Sequence, residues 1–301
     1  MPTPKNSSRR KFAGQLGIAT AAIMTTPLLT KANSFFKADD AITVGQIMDM
    51  FIKTVPGSPF PKTVDTIKAG SRDTVVKGIV TTMFPTVAVI RKTIELDANF
   101  ILCHEPTFYN HEDDVSWLQN DEVYSYKADL LQQHNITIWR NHDYIHSLRP
   151  DGVVTGVVDK LEWAPYQKSG NTFAIDPAIS LHELISHTKQ KLNIEKVRYI
   201  GDLNQNCKNV LLMVGAAGGK AQISAINNYK PDVLICGEIS EWETAEYVRD
   251  ARSEGRQLAL VILGHIASEE PGSEFMLNWL KQRLPGMKVT HVPSGNSLSF
   301  A

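Results

Sequence analysis

The strongest constraint on the fold is a set of short, wholly apolar runs, each followed at once by residues able to do chemistry. Phe100-Ile101-Leu102-Cys103, Val233-Leu234-Ile235-Cys236 and Leu258–Leu263 read as strands buried on both faces. Segments of helical period separate such runs: Thr86–Leu96 opened by Pro85, Asp121–His134, Lys220–Tyr229 and Glu241–Glu254. A β-α-β rhythm of this kind requires an α/β fold whose sheets are covered by helices.

The remaining elements follow from local signals. Val44, Ile47, Met48, Phe51 and Ile52 fall at helical spacing behind Thr43, an N-cap residue. Gly57 to Gly70 reads as loop, Val75–Thr82 and Ile136–Arg140 as strands, and Gly152–Leu161 as a short helix. Residues 164–179, with Pro, Gly, Ser and Asn, mark a boundary, after which the capping box Ser180-Leu181-His182-Glu183 opens a helix to about Lys191. Strands are expected at Val197–Ile200, Val210–Val214 and Val289–Val292, and a helix at Ser273–Leu284. The expected architecture is two β-α-β-rich halves, about 42–163 and 180–301, with a metal site between them at the carboxyl ends of the strands.

Bulk properties exclude some function classes. A net charge of −1 provides no field to attract nucleic acid or anionic lipid. Cys103, Cys207 and Cys236 are too scattered for a disulfide framework or a zinc knuckle, so core thiols are expected. The start of the chain differs from the rest: Arg9-Arg10 precedes a weakly apolar stretch, Ala13 to Leu29, rich in Gly, Ala and Thr. It resembles a twin-arginine export signal spanning residues 1–32, with 33–301 as the exported domain and the periplasm as its compartment. Gln15 and Pro27 interrupt the stretch, and no cysteine stands near its end, so no membrane anchor is expected in the mature form.

Histidines and glutamates cluster behind four strands. His104-Glu105 follows Phe100–Cys103, His142 and His146 follow Ile136–Arg140, Glu238 follows Val233–Cys236 by one glycine, and His265 follows Leu258–Leu263 by one glycine. Glu269 stands four residues after His265, on the same face of a helix. Any one cluster alone reads as a surface turn or an exposed pair, but four at strand ends point to one site. His111, His134, His182, His187 and His291 lack this placement and read as surface or packing residues. Gly215-Ala-Ala-Gly218-Gly219 reads as a tight turn or an anion cradle.

Phe100-Ile-Leu-Cys-His104-Glu105-Pro106 resembles the I-T-H-H-P signature of the NIF-three-like dinuclear metal family, also known as GTP cyclohydrolase I type 2 homologues. Asn141-His142-Asp-Tyr-Ile-His146 is similar to that family's A-H-T-N-x-D segment, Gly237-Glu238 to its T-G-E strand end, and Gly264-His265-Ile-Ala-Ser268-Glu269 to its G-H-x-x-S-E segment. The resemblance runs from Ile42 to Phe300 and implies a two-metal site ligated by His104, Glu105, His146, His265 and Glu269, with Glu269 as the bridge. Two divalent ions are implied, from Zn, Mn, Fe, Co or Ni, together with a small-molecule substrate and a homo-oligomer, in the family a hexamer. Two positions are exchanged relative to the family, Glu105 for His and His146 for Asp, so the count of three imidazoles and two carboxylates is kept. The implied chemistry is hydrolysis by a metal-bridging hydroxide, with Glu238 or His142 moving the proton. The alternative is a non-catalytic metal-binding or scaffold protein.

Overall fold

The computed structural model describes residues 41–301, so the expected export signal lies outside the described residues. In chain order the first elements are α1 (Val44–Ile52), β1 (Ile67–Ala69), β2 (Ile79–Thr82), α2 (Val87–Glu95), β3 (Phe100–Cys103), α3 (Glu122–Gln133), β4 (Thr137–Arg140), α4 (Asp143–Ser147) and α5 (Gly152–Leu161). There follow β5 (Gln167–Ser169), β6 (Thr172–Ser180), α6 (Leu181–Leu192), β7 (Arg198–Ile200), β8 (Asn206–Met213), α7 (Gly219–Tyr229), β9 (Val233–Cys236), α8 (Glu246–Ser253), β10 (Ala259–Ile262), α9 (His265–Arg283) and β11 (Val289–His291).

Local chemistry explains most boundaries. Thr43 and Ser180 close capping boxes with Gln46 and Glu183, and Thr86, Asp121 and Asp151 accept backbone N–H bonds at the starts of α2, α3 and α5. All four residues of β2, β3, β4, β9 and β10 are buried, as the apolar runs of β3, β9 and β10 demand of strands covered on both faces. One sheet has the order β1-β4-β3-β2-β11 and the other β5-β6-β8-β9-β10-β7. Parallel pairing runs through β4-β3-β2-β11 and through β8-β9-β10, so within each sheet these strands end on the same side.

The structure departs from the sequence reading at four places. Residues 164–179, read only as a boundary, contain strands: Phe173 and Ile175 turn into the core, and the pairing of β6 with β8 breaks register between Ala174 and Ile179, around Pro177. The last strand, expected in the second half, pairs in parallel with β2 and completes the first sheet. The helix expected from Ser273 begins eight residues earlier at His265 and runs through Pro271. Packing against α5 holds it there: a Cβ on Gly156 would stand 2.3 Å from the Pro271 carbonyl oxygen, so the helices meet backbone to backbone. The same two helices connect the cores. Val153 packs with Met276, Trp279 and Leu280 beneath the first sheet, while Val154, Val157, Val158 and Leu161 pack beneath the second. The segment Glu241–Ala245, expected to be α-helical, is a π turn leading into α8.

Candidate metal centre

Four strand ends deliver the residues that the sequence pattern singled out. His104 and Glu105 leave β3, His142 caps α4 and His146 lies within it just after β4, Glu238 follows β9, and His265 and Glu269 occupy the first turns of α9 after β10. All seven come together. His265 Nε2 lies 3.0 Å from Glu269 Oε2 and 3.2 Å from Glu105 Oε1, and His104 Nε2 lies 3.4 Å from Glu269 Oε2. His146 Nε2 stands 4.0 Å from the other oxygen, Glu269 Oε1. The rings of His104, His142 and His146 are mutual neighbours, with centroids 4.8–5.0 Å apart. His104, Glu105 and Glu269 are buried, and His142, His146 and His265 are half-buried.

This is a donor set that suits divalent ions. His104, His142 and His146 can each offer a ligand atom within 4.8 Å of the others, and so can His104, Glu105 and Glu269. His104 Nε2 is buried and has no hydrogen-bond partner, a costly arrangement for a ring nitrogen unless something binds it. Gly215 cradles the Glu269 carboxylate: a Cβ at this position would lie 2.2 Å from Glu269 Oε1. Close approach to a carboxylate is therefore what the glycine after β8 permits, and its φ of +63° is one that side chains avoid. Ser268 Oγ accepts the Gly215 N–H at 2.9 Å and donates to the His265 carbonyl, fixing that loop to α9.

The electrostatics couple the same groups. Burial pulls the His265 pKa down, but hydrogen bonds to Glu105 and Glu269 outweigh it and raise the value to about 10. Burial likewise opposes ionisation of Glu105 and Glu269, yet the adjacent imidazoles hold both below the usual carboxylate range. His142 is pushed down to about 4, chiefly by burial and then by the neighbouring His104. Its imidazole is therefore neutral at ordinary pH.

Several residues that hold the site drew no attention in the sequence. Arg140, fully buried at the end of β4, donates from Nε to the His104 carbonyl at 3.2 Å, from one terminal nitrogen to the His111 carbonyl, and from the other to Glu105 Oε2 at 3.2 Å. Glu105 thus neutralises a guanidinium as well as facing His265, a task that a histidine could not perform there. Asp65 accepts the backbone N–H groups of His142, Asp143 and Tyr144 and pins the start of α4. His111, read from the sequence as a surface or packing residue, lines the cavity instead, with its ring 5.4 Å from that of His142. The only signal for Arg140 was a charged residue closing an apolar strand just before Asn141-His142. Asp65 and His111 carried none, because long-range folding alone brings them in.

The cavity has a volume of about 980 Å³ and is walled on one side by Glu105, His142, His265 and Glu269, and on the other by the Ser294–Ser297 segment. Glu238 lines it too, with Oε1 2.9 Å from His265 Nδ1. Beyond Glu238, Glu241 pairs with Arg198 at the surface, and Trp242 is 80% exposed. The three cysteines are buried free thiols, as expected, and burial pushes Cys103 and Cys236 up to about 12.

Comparison with known proteins agrees with this fold. The chain is 23% identical over 235 residues to the GTP cyclohydrolase 1 type 2 homolog of Clostridium acetobutylicum, covering 74% of this chain and 83% of the relative. Among solved structures, Staphylococcus aureus protein SA1388 superposes with a TM-score of 0.68 at 18% identity, covering 87% of this chain and 99% of that one. A Bacillus cereus protein related to NIF3 gives a TM-score of 0.69 at 13% identity over the same shares. The family model for Duf34/NIF3 (NGG1p interacting factor 3) matches residues 44–297, and the chain belongs to that family.

Proposed function

We propose that this protein is a dinuclear-metal-dependent hydrolase acting on a small molecule, with His104, Glu105, His146, His265 and Glu269 holding two divalent ions. The observation that carries this reading is the position of Glu269. Its Oε2 faces His104 and His265 and its Oε1 faces His146, so one buried carboxylate stands among imidazoles delivered by three strand ends. Divalent ions held by these residues would supply Lewis acidity and would activate a water for attack.

The residues supply the rest. Glu238 is the side chain placed to move a proton: it is half-exposed, lines the cavity and is hydrogen-bonded to His265. A volume of about 980 Å³ suits a molecule of nucleotide or drug size. Lys127, whose pKa burial draws down to about 8, donates to the Thr107 carbonyl at 2.6 Å and lines the same cavity, which favours an anionic substrate. A homo-oligomer, as the family resemblance implies, belongs to the same proposal.

The test is metal content together with turnover. The wild type should hold two equivalents of a divalent ion, and Glu269→Ala should lose both, because a shared carboxylate serves both ions. The loaded wild type should hydrolyse at least one member of a panel of esters, amides and phosphodiesters. Full metal content without turnover of any of them would leave a binding protein rather than an enzyme.

A further inference from the structure

A histidine that ligates a metal through one ring nitrogen almost always gives its other N–H to an oxygen acceptor, which fixes both tautomer and orientation. His104 Nδ1 lies 3.2 Å from the Asn141 carbonyl oxygen, His142 Nδ1 3.0 Å from Asp143 Oδ1, and His146 Nδ1 2.9 Å from Asp151 Oδ2. A carbonyl and two carboxylates can only accept, so each Nδ1 carries a proton, and each Nε2 is the nitrogen left to an ion once the ring is neutral.

The two aspartates are themselves anchored. Asp143 Oδ2 accepts from Thr63 Oγ1 and the Val64 N–H, and Asp151 Oδ1 accepts from the N–H groups of Val153 and Val154 at the start of α5. Each uses one oxygen to grip the fold and the other to aim an imidazole. One donor atom from each of the three rings lies within 4.8 Å of the other two, and His104 Nε2 is an orphan in a buried wall.

We propose that His142 is a metal ligand, completing a three-histidine site with His104 and His146, and that Glu105 and His265 form the other site, with Glu269 shared between them. This rests on the two-metal reading above but changes the ligand set, which left out His142, a residue the family resemblance implied only as an alternative to Glu238 in carrying the proton. A carrier needs access to substrate; it does not need its free nitrogen to converge with two other imidazole nitrogens.

The consequence is an unequal pair of sites. One is neutral apart from the shared carboxylate and built of imidazoles, which suit Zn, Cu, Fe or Ni. The other has a carboxylate of its own and so favours harder ions more than its neighbour does. Loading with one kind of ion should therefore proceed in two steps.

The experiment is a Zn²⁺ titration against a chromophoric chelator, on wild type, His142→Ala and His142→Gln, after metal-free melting curves have established that at least one variant is folded. The wild type should bind two equivalents. A folded His142 variant should keep one at wild-type affinity and bind the other at least about 10-fold more weakly. The visible spectrum of the Co²⁺-loaded protein should change for that equivalent alone. Two equivalents at wild-type affinity in the folded variant would overturn the proposal, return His142 to proton transfer and leave the two-metal reading standing. Loss of both equivalents from the variant would overturn it too, since the sites would then not be separable. A wild type that binds fewer than two equivalents would overturn both readings.

Discussion

His265 concentrates the electrostatics of the centre in one side chain. Its metal-free pKa of about 10 stands above the ~6.5 of an unfolded histidine, so the pairing contributes stability that is complete below about pH 6.5. That contribution is lost as pH rises through about 10. The metal-free protein should therefore melt at progressively lower temperature from pH 7 to pH 10, and His265→Gln should flatten this slope. Metal binding runs the opposite way: an ion must displace the His265 proton, so affinity should rise over the same range by about tenfold per pH unit. Calorimetric melting with and without Zn²⁺ checks both signs, and a metal-free melting temperature that rises with pH would contradict the ion pairing. At this scale the sequence was informative about which side chains meet. His104, Glu105, His142, His146, His265 and Glu269 each follow a strand by a few residues, and parallel strands end on one side. It was silent about what holds them, because Arg140, Asp65 and Asp151 act through backbone carbonyls, backbone N–H groups and ring nitrogens that local pattern does not display.

The elements divide in the same way. Buried strands such as β3, β9 and β10 were legible because four consecutive apolar residues have few other uses. The start of α9 was hidden by Pro271, whose cost is offset by close packing on α5, and β6 was hidden by a register break in polar sequence. The turn between β8 and α7 illustrates the ambiguity of glycine. Gly215-Ala-Ala-Gly218-Gly219 suggested a tight turn or an anion cradle, and the structure gives it another use, room for Glu269. The turn should be intolerant at Gly215 for two reasons, a left-handed φ and a Cβ pressed on the carboxylate. Gly215→Ala should destabilise the fold by about 2–4 kcal/mol and also reduce metal content, because Glu269 must move. Gly57→Ala, with a φ of +77° but open space around its Cβ, should show only the conformational part, about 1–2 kcal/mol, and keep its metal. Urea midpoints and metal analysis of the two variants separate these effects.

On the scale of the whole molecule, the proposal of twin-arginine export joins the N-terminal motif to the folded site. Replacing Arg9 and Arg10 with Lys should leave uncleaved precursor in the cytoplasm, as fractionation followed by immunoblotting would show. Normal arrival of that variant in the periplasm would remove the export reading. Among the described residues no helix is long and apolar enough to cross a membrane. The pairing of β11 with β2 adds a constraint of timing. The sheet that carries His104 gains its edge only when Val289–His291 has been made, and Glu269 itself is translated long after His104. At roughly 5–20 residues per second, the interval from His104 to Glu269 is on the order of ten to thirty seconds. For that time the nascent chain carries His104 and Glu105, and then His142 and His146, without Glu269, the carboxylate they share. On the two-metal proposal the ions would be bound only once translation has passed α9, in whatever compartment the finished chain then occupies, so the timing of release and transport would decide which ions it meets.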